Sequence, residues 1–123
     1  MSNFCCHFQH VQIFFRCKVK KYLKKLPNVS VIITFHNEIW SVLLRCIHSV
    51  YNRSPAELLH EIILINDAST FPELALNLSS YVVHHFNGKV KVHHNEKREG
   101  LIRARMIGAR LAEGDVIIFL DSH

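Results

Sequence analysis

The sequence predicts an α/β domain built on a doubly wound, mostly parallel sheet, and three observations carry that expectation. Four short runs of apolar, largely β-branched residues recur between residues 28 and 123, the pattern of strands covered on both faces. Stretches with apolar residues at helical spacing separate them, so that strand and helix alternate. Each strand-like run also ends in polar or charged residues. In sheets of this kind ligands bind beyond the carboxyl ends of the strands, so those residues are the ones to examine.

The first run is Val29-Ser30-Val31-Ile32-Ile33-Thr34-Phe35. Asn37 is expected to cap the helix that follows, with Glu38 in its first turn and Trp40, Leu43, Leu44, Ile47 and Val50 on the inward side. Asn52 to Pro55 end that helix, and Glu61 to Ile65 form a second buried strand closed by Asn66-Asp67-Ala68-Ser69. Pro72 opens a second helix with Leu74, Leu78, Tyr81 and Val82 on one side. Asn87-Gly88 is a turn signal, and Lys89 to His93 a third strand. A third helix is expected from about Leu101 to Ala112, with Ile102, Met106 and Ala109 inward. Gly114-Asp115 then turns the chain into Val116 to Leu120, the most apolar strand.

Residues 1–27 show no clear periodicity and end in Lys18, Lys20, Lys21, Lys24, Lys25 and Pro27, which reads as a basic tail or linker. Cys5, Cys6, His7 and His10 are crowded, but their spacing fits no closed zinc module. Cys46 falls among apolar helix residues and reads as a core thiol. The 123 residues are 49% hydrophobic with a net charge of +5, a globular composition. The positive balance suits either a solvated basic face or a phosphate-bearing ligand. The lysine run lacks the interleaved aromatics that stack bases, so no nucleic-acid partner is expected. No apolar stretch approaches the roughly 20 residues of a membrane helix.

The strand ends carry Thr34-Phe35-His36-Asn37-Glu38, Asn66-Asp67, Lys97-Arg98-Glu99-Gly100 and Asp121-Ser122-His123. Asp121 and His123 share a side of an extended chain, so carboxylate and imidazole project together. That donor pair suits a divalent ion such as Mn2+, which also bridges diphosphates. Asp67 is placed either to accept hydrogen bonds from a uracil or ribose or to cap the helix after it. Arg98 suits a phosphate, or an ordinary solvent-facing loop. Gly100 allows close backbone approach at the start of the third helix.

Several strings taken together resemble one family. They are residues 31–38 (Val-Ile-Ile-Thr-Phe-His-Asn-Glu), 43–45 (Leu-Leu-Arg), 48–50 (His-Ser-Val) and 52–55 (Asn-Arg-Ser-Pro). Further along come 61–69 (Glu-Ile-Ile-Leu-Ile-Asn-Asp-Ala-Ser), 98–105 (Arg-Glu-Gly-Leu-Ile-Arg-Ala-Arg) and 119–123 (Phe-Leu-Asp-Ser-His). Their order and spacing resemble the polypeptide N-acetylgalactosaminyltransferases across about residues 27–123. The resemblance implies a GT-A fold and a Golgi type II membrane enzyme. Such an enzyme transfers N-acetylgalactosamine (GalNAc) from UDP-GalNAc to Ser or Thr of polypeptides with retention at the anomeric carbon. By the same resemblance Thr34, Asp67, Arg98 and Ser122 hold the UDP sugar, and Asp121 and His123 ligate Mn2+. Asn66 departs from the Asp-Asp that most members carry, whereas Asp67 at the donor-matching position is retained.

The resemblance also implies parts that this sequence does not contain: a membrane anchor, a third histidine ligand, an acceptor segment and a lectin domain. The expectation is therefore the first four strand–helix units of a GT-A domain over residues 28–123, binding donor weakly and turning it over little. GT-A strand order 3-2-1-4 further predicts strand four as an exposed apolar edge. Two alternatives stand beside this one. A transferase of the broad family 2 type shares the first strand and an Asp-x-Asp-like motif, although His123 and the Arg98–Arg103 string argue against it. A non-catalytic nucleotide- or partner-binding module could keep the same fold.

Overall fold

The computed structural model describes residues 25–122. The Cys5, Cys6, His7 and His10 cluster, the lysines up to Lys24, and His123 lie outside the described residues. Within them, strands β1 (Val29–Phe35), β2 (Leu59–Asn66), β3 (Val90–His94) and β4 (Val116–Asp121) form one parallel sheet in the order β3-β2-β1-β4. Helix α1 (Trp40–Arg53) follows β1. A π-helical segment, Glu73–Asn77, runs into α2 (Leu78–His85), and α3 (Leu101–Leu111) precedes β4. The expected fold class and strand order are those observed.

Side chains in β1 and β2 alternate between two cores, as the two-residue period of a strand requires. Val31, Ile33 and Phe35 join Ile62 and Leu64 on one face, packed against Leu43 and Ile47 of α1 and Leu78 and Val82 of α2. Ile32, Ile63 and Ile65 form the smaller core beneath α3. Each fully buried Ile or Leu contributes about 1.5–3 kcal/mol relative to an exposed one, so the α1/α2 face carries most of the apolar stabilisation.

Helix α3 corrects one expectation. The inward stripe is not Ile102 and Met106, which are 77% and 50% exposed, but Ala104 and Gly108, with Ala109 partly buried beside them. The reason is close approach: a Cβ on Gly108 would lie 2.5 Å from Cγ2 of Ile32. Small residues at i and i+4 let the helix sit on the sheet, and the bulkier apolar periodicity of the same helix points outward.

Strand β4 pairs with β1 along one side, and all six of its residues are exposed. At the amino edge of the sheet, Glu61 of β2 is 2% exposed and accepts from Ser30 Oγ and from the Glu113 amide, both at 2.8 Å. Its Oε2, sealed from water, has a Lys91 ion pair at 2.8 Å and no aligned hydrogen bond. Burial opposes the charge on Glu61, but Lys91, the Glu113 amide and the Ser30 hydroxyl together hold its pKa below the usual glutamate value. The Gly114 amide donates to Ser30 Oγ at 2.8 Å, and a Cβ on Gly114 would meet Ser30 N at 2.7 Å. This cluster joins β1, β2, β3 and the turn into β4, at the end opposite the cleft described next.

Candidate functional site

Because the strands are parallel and in register, their polar ends meet at one edge. Thr34 lies level with Ile65 on one side and Asp121 on the other, and Asp67 N donates to Phe35 O at 2.9 Å. The loops after β1 and β2 turn sharply, with Asn37 and Ala68 at φ 52° and 54°. They are stitched together: Asn37 N donates to Ser69 Oγ at 2.9 Å, and Thr70 N donates to Asn37 Oδ1 at 2.7 Å. Asn37 is therefore a loop clamp and not the expected helix cap. The cap position is Ile39, and no side chain caps α1.

A cleft of about 360 Å³ opens at this edge. Thr34, Asp67, Arg98, Asp121 and Ser122 line it, so the structure brings together five of the six sequence-predicted site residues. The sixth, His123, lies outside the described residues. His36, Glu38, Gly100 and Arg105 complete the polar wall.

Asp67 is the best-anchored of these, at 5% exposure. Its Oδ1 accepts from Asn95 Nδ2 and from the Glu99 amide, both at 2.8 Å, and its Oδ2 accepts from the Gly100 amide at 2.9 Å. Burial pushes the carboxyl pKa up, but these donors and the nearby His36 outweigh it, and the group titrates below an ordinary aspartate. Asp67 thus caps the approach to α3 and not the segment directly after it. Gly100 is required there by its φ of 84°, since nothing lies within 4 Å of a Cβ at that position.

Glu38 precedes α1 and does not sit in its first turn. Its Oε1 accepts from the Ile39 amide and its Oε2 from Ser122 Oγ, both at 2.9 Å, which holds the 5% exposed Ser122 against the loop after β1. Cys46 is only partly buried, with Sγ 3.7 Å from the Asp121 carbonyl; burial and then the Glu38 charge raise its pKa. Arg98 is exposed and has no carboxylate partner among the described residues. Arg105, which sequence reasoning missed, donates to Asp121 Oδ1 at 2.9 Å and lies 5.9 Å from the Phe119 ring. The sequence signal was present in the 98–105 string, but nothing in it tells which of Arg98, Arg103 and Arg105 turns to the cleft.

Among the described residues, the one group of three His, Cys, Asp or Glu ligand atoms within 4.8 Å is His60, Glu61 and Glu113, far from the cleft at the amino edge. Lys91 already pairs with both of its carboxylates, 2.8 Å from Glu61 and 3.5 Å from Glu113.

Asn66, the departure from Asp, is 2% exposed and matched to neutral partners. Its Nδ2 donates to Leu74 O and faces His94 Nδ1 at 3.1 Å, its Oδ1 accepts from Ser69 N, and His94 Nε2 meets Ser79 Oγ at 3.0 Å. An amide donor at Nδ1 requires that nitrogen to be unprotonated. Partial burial, and then His93, lower the His94 pKa accordingly. A folded-state pKa below the unfolded value means stability is fully present above pH 6.5 and is lost as pH falls through the folded pKa. Urea midpoints measured from pH 7.5 downward are expected to start falling just below pH 6.5, and that first step should vanish in His94→Gln.

The fold and cleft define a class: a parallel α/β domain with a cleft beyond the carboxyl ends of β1 and β4, at the switch in strand order, where such domains bind their ligands. The chain belongs to glycosyl transferase family 2, which it matches over residues 30–123. Within that family it is similar to polypeptide N-acetylgalactosaminyltransferases. It is 51% identical over 108 residues to polypeptide N-acetylgalactosaminyltransferase 11 of Xenopus tropicalis, covering 88% of this chain and 18% of the relative. It is 52% identical to the mouse inactive polypeptide N-acetylgalactosaminyltransferase-like protein 5, over 87% of this chain and 25% of that one. The crystal structure of GalNAc-T7 with UDP, GalNAc and Mn2+ superposes with a TM-score of 0.79 at 50% identity, covering 83% of this chain and 19% of that one. The chain therefore spans a fifth to a quarter of the length of these relatives. The contrast drawn from the sequence between a broad family 2 transferase and a polypeptide transferase does not hold, because this chain matches both.

Proposed function

We propose that the cleft is the donor site of a polypeptide N-acetylgalactosaminyltransferase domain and holds UDP-GalNAc with Mn2+. The observation that carries this reading is the convergence of Thr34, Asp67, Arg98, Asp121 and Ser122, from separate strand ends, on one cleft. Half identity to GalNAc-T7, whose structure contains UDP, GalNAc and Mn2+, supports it. The donor chemistry fits: the Asp121 carboxylate already lies against a cationic group, Arg105, and offers hard oxygen to a divalent ion. Asp121 and His123 hold the Mn2+, which when bound supplies Lewis acidity to the diphosphate leaving group. Arg98 adds a fixed positive charge for the phosphates. Asp67 stays ionised and keeps the loop carrying Arg98 in shape, and its carboxylate serves the nucleoside together with the Thr34 hydroxyl. Ser122, held by Glu38, supplies a hydroxyl to the donor. In the whole protein the reaction is retaining transfer of GalNAc to Ser or Thr of a polypeptide, in the Golgi.

A calorimetric titration of this chain with UDP tests the reading. Heat of binding is expected with Mn2+ and not with chelator, with Asp121→Ala abolishing the metal dependence. Binding that ignores Mn2+, or none at all, would sink the proposal. A second, non-catalytic reading is favoured by the 52% identity to a relative named inactive. It predicts Mn2+-dependent UDP binding with no consumption of UDP-GalNAc in the presence of a Ser/Thr peptide.

A further inference from the structure

We propose that Arg105 is a positioning residue for the cleft, fixing the Asp121 carboxylate through Oδ1 so that Oδ2 is presented to a divalent ion. The inference rests on the donor-site reading above.

Asp121 needs such a partner because of where it sits. It ends β4, an edge strand with all six residues exposed, and its side chain is 60% open to solvent. Left alone, it would sample several rotamers. Arg105 is held far more firmly. It follows Ala104, which is 1% exposed against Ile32, Ile63 and Ile65, and Gly108 one turn later lets α3 approach Ile32 closely. Its guanidinium reaches across to Oδ1 at 2.9 Å while lying 5.9 Å from the Phe119 ring centroid. Helix α3 therefore transmits a fixed position to the otherwise open end of β4.

The nearby arginines do different things. Arg103 pairs with Glu99 one turn back, at 3.3 Å, while Arg98 has no carboxylate partner. Arg105 alone among them ties a cleft carboxylate to the helix. A half-exposed ion pair adds little to stability, so a purely structural role for this contact explains little.

Two effects of Arg105 on metal affinity oppose each other. Its positive charge repels an incoming divalent cation, worth roughly tenfold at about 6 Å in water and less once salt screens it. Losing the hydrogen-bond partner of a ligating carboxylate costs roughly ten- to a hundredfold in metal affinity. The orienting effect is the larger, so Arg105 favours metal binding.

The test is Mn2+ binding by the full chain in the presence of UDP, followed by electron paramagnetic resonance of free and bound Mn2+, with Arg105→Leu and Arg105→Lys. Leucine keeps an apolar stem on Phe119, and lysine keeps the charge without the planar fork. Both variants are expected to melt with the wild type. Leucine should weaken Mn2+ binding several-fold, the net of the two effects, and lysine should weaken it further, because it keeps the repulsion without the planar fork. Unchanged or tighter binding in Arg105→Leu overturns the inference, as does wild-type affinity in Arg105→Lys, which would show that the planar fork is not what orients Asp121. Wild-type chain that binds no Mn2+ with UDP overturns the donor-site reading and this inference together. Wild-type binding with indifferent variants overturns this inference alone.

Discussion

Asp67→Ala is expected to destabilise the fold by about 2–4 kcal/mol and to abolish measurable UDP binding in the same protein. The estimate follows from what the carboxylate holds: the amides of Glu99 and Gly100 and the side chain of Asn95. A buried donor left without an acceptor costs about 1–3 kcal/mol, and Asn95 can partly recover by turning to water. The loss of binding follows because the same three bonds shape the loop bearing Arg98 and the start of α3, both of which line the cleft. Urea denaturation gives the first number and calorimetry the second. Asp67→Asn should lose roughly half as much stability, since an amide keeps one acceptor but turns an NH2 toward a backbone donor. Because burial is outweighed by hydrogen bonds in setting this pKa, the carboxylate contributes stability above its usual value of 3.8, lost as pH falls through the lower folded value. The alanine variant should therefore show a flatter acid limb. An alanine variant as stable as wild type would mean the loop is held some other way.

Glu61→Ala is expected to cost a similar amount, about 2–4 kcal/mol, without changing UDP affinity. Its carboxylate is nearly sealed from water and satisfies Ser30 Oγ and the Glu113 amide, which lose their acceptor on truncation. Lys91 is half-exposed and returns to solvent, which keeps the cost below that of stranding a fully buried charge. The site is at the opposite end of the sheet, so affinity measured at a temperature where both proteins are folded should agree within about twofold. Glu61 also titrates low, so its contribution is present above pH 4.5 and lost as pH falls through its folded pKa. Loss of UDP binding in folded Glu61→Ala would show that the two ends of the sheet are coupled. Read together, the two variants separate damage to the fold from damage to the cleft.

Much of the fold was legible because burial on both faces leaves a strong local mark. The bounds of β1 agree with the apolar run residue for residue, and β2 and β3 differ only by small extensions or shifts at their ends. Leu43 and Ile47, and Leu78 and Val82, are buried where helical spacing put them. The cleft was legible for a related reason: in a parallel sheet all carboxyl ends lie on one edge, so strand ends far apart in sequence share a site. What failed was helix rotation and loop chemistry. Ile102 and Met106 are the more hydrophobic residues of α3, yet Ala104 and Gly108 face the sheet because only small side chains allow that spacing. Asn37 and Glu38 carry ordinary capping signals, and their partners, Thr70 and Ser122, lie 33 and 84 residues away.

The sequence by itself determined the alternation of strand and helix, the parallel sheet, and the set of polar strand ends from Thr34 to Asp121. These depend on local hydrophobic pattern and on chain order, both of which are written along the chain. Tertiary structure alone decided which arginine of α3 meets Asp121, that Asp67 restrains the Arg98 loop, and that Glu61 is a buried junction at the far edge. Each of these is a contact between residues more than a helix or strand apart, fixed by how closely α3 and the loops pack on the sheet. No local propensity encodes that distance; it follows from which side chains are small enough to let the elements meet.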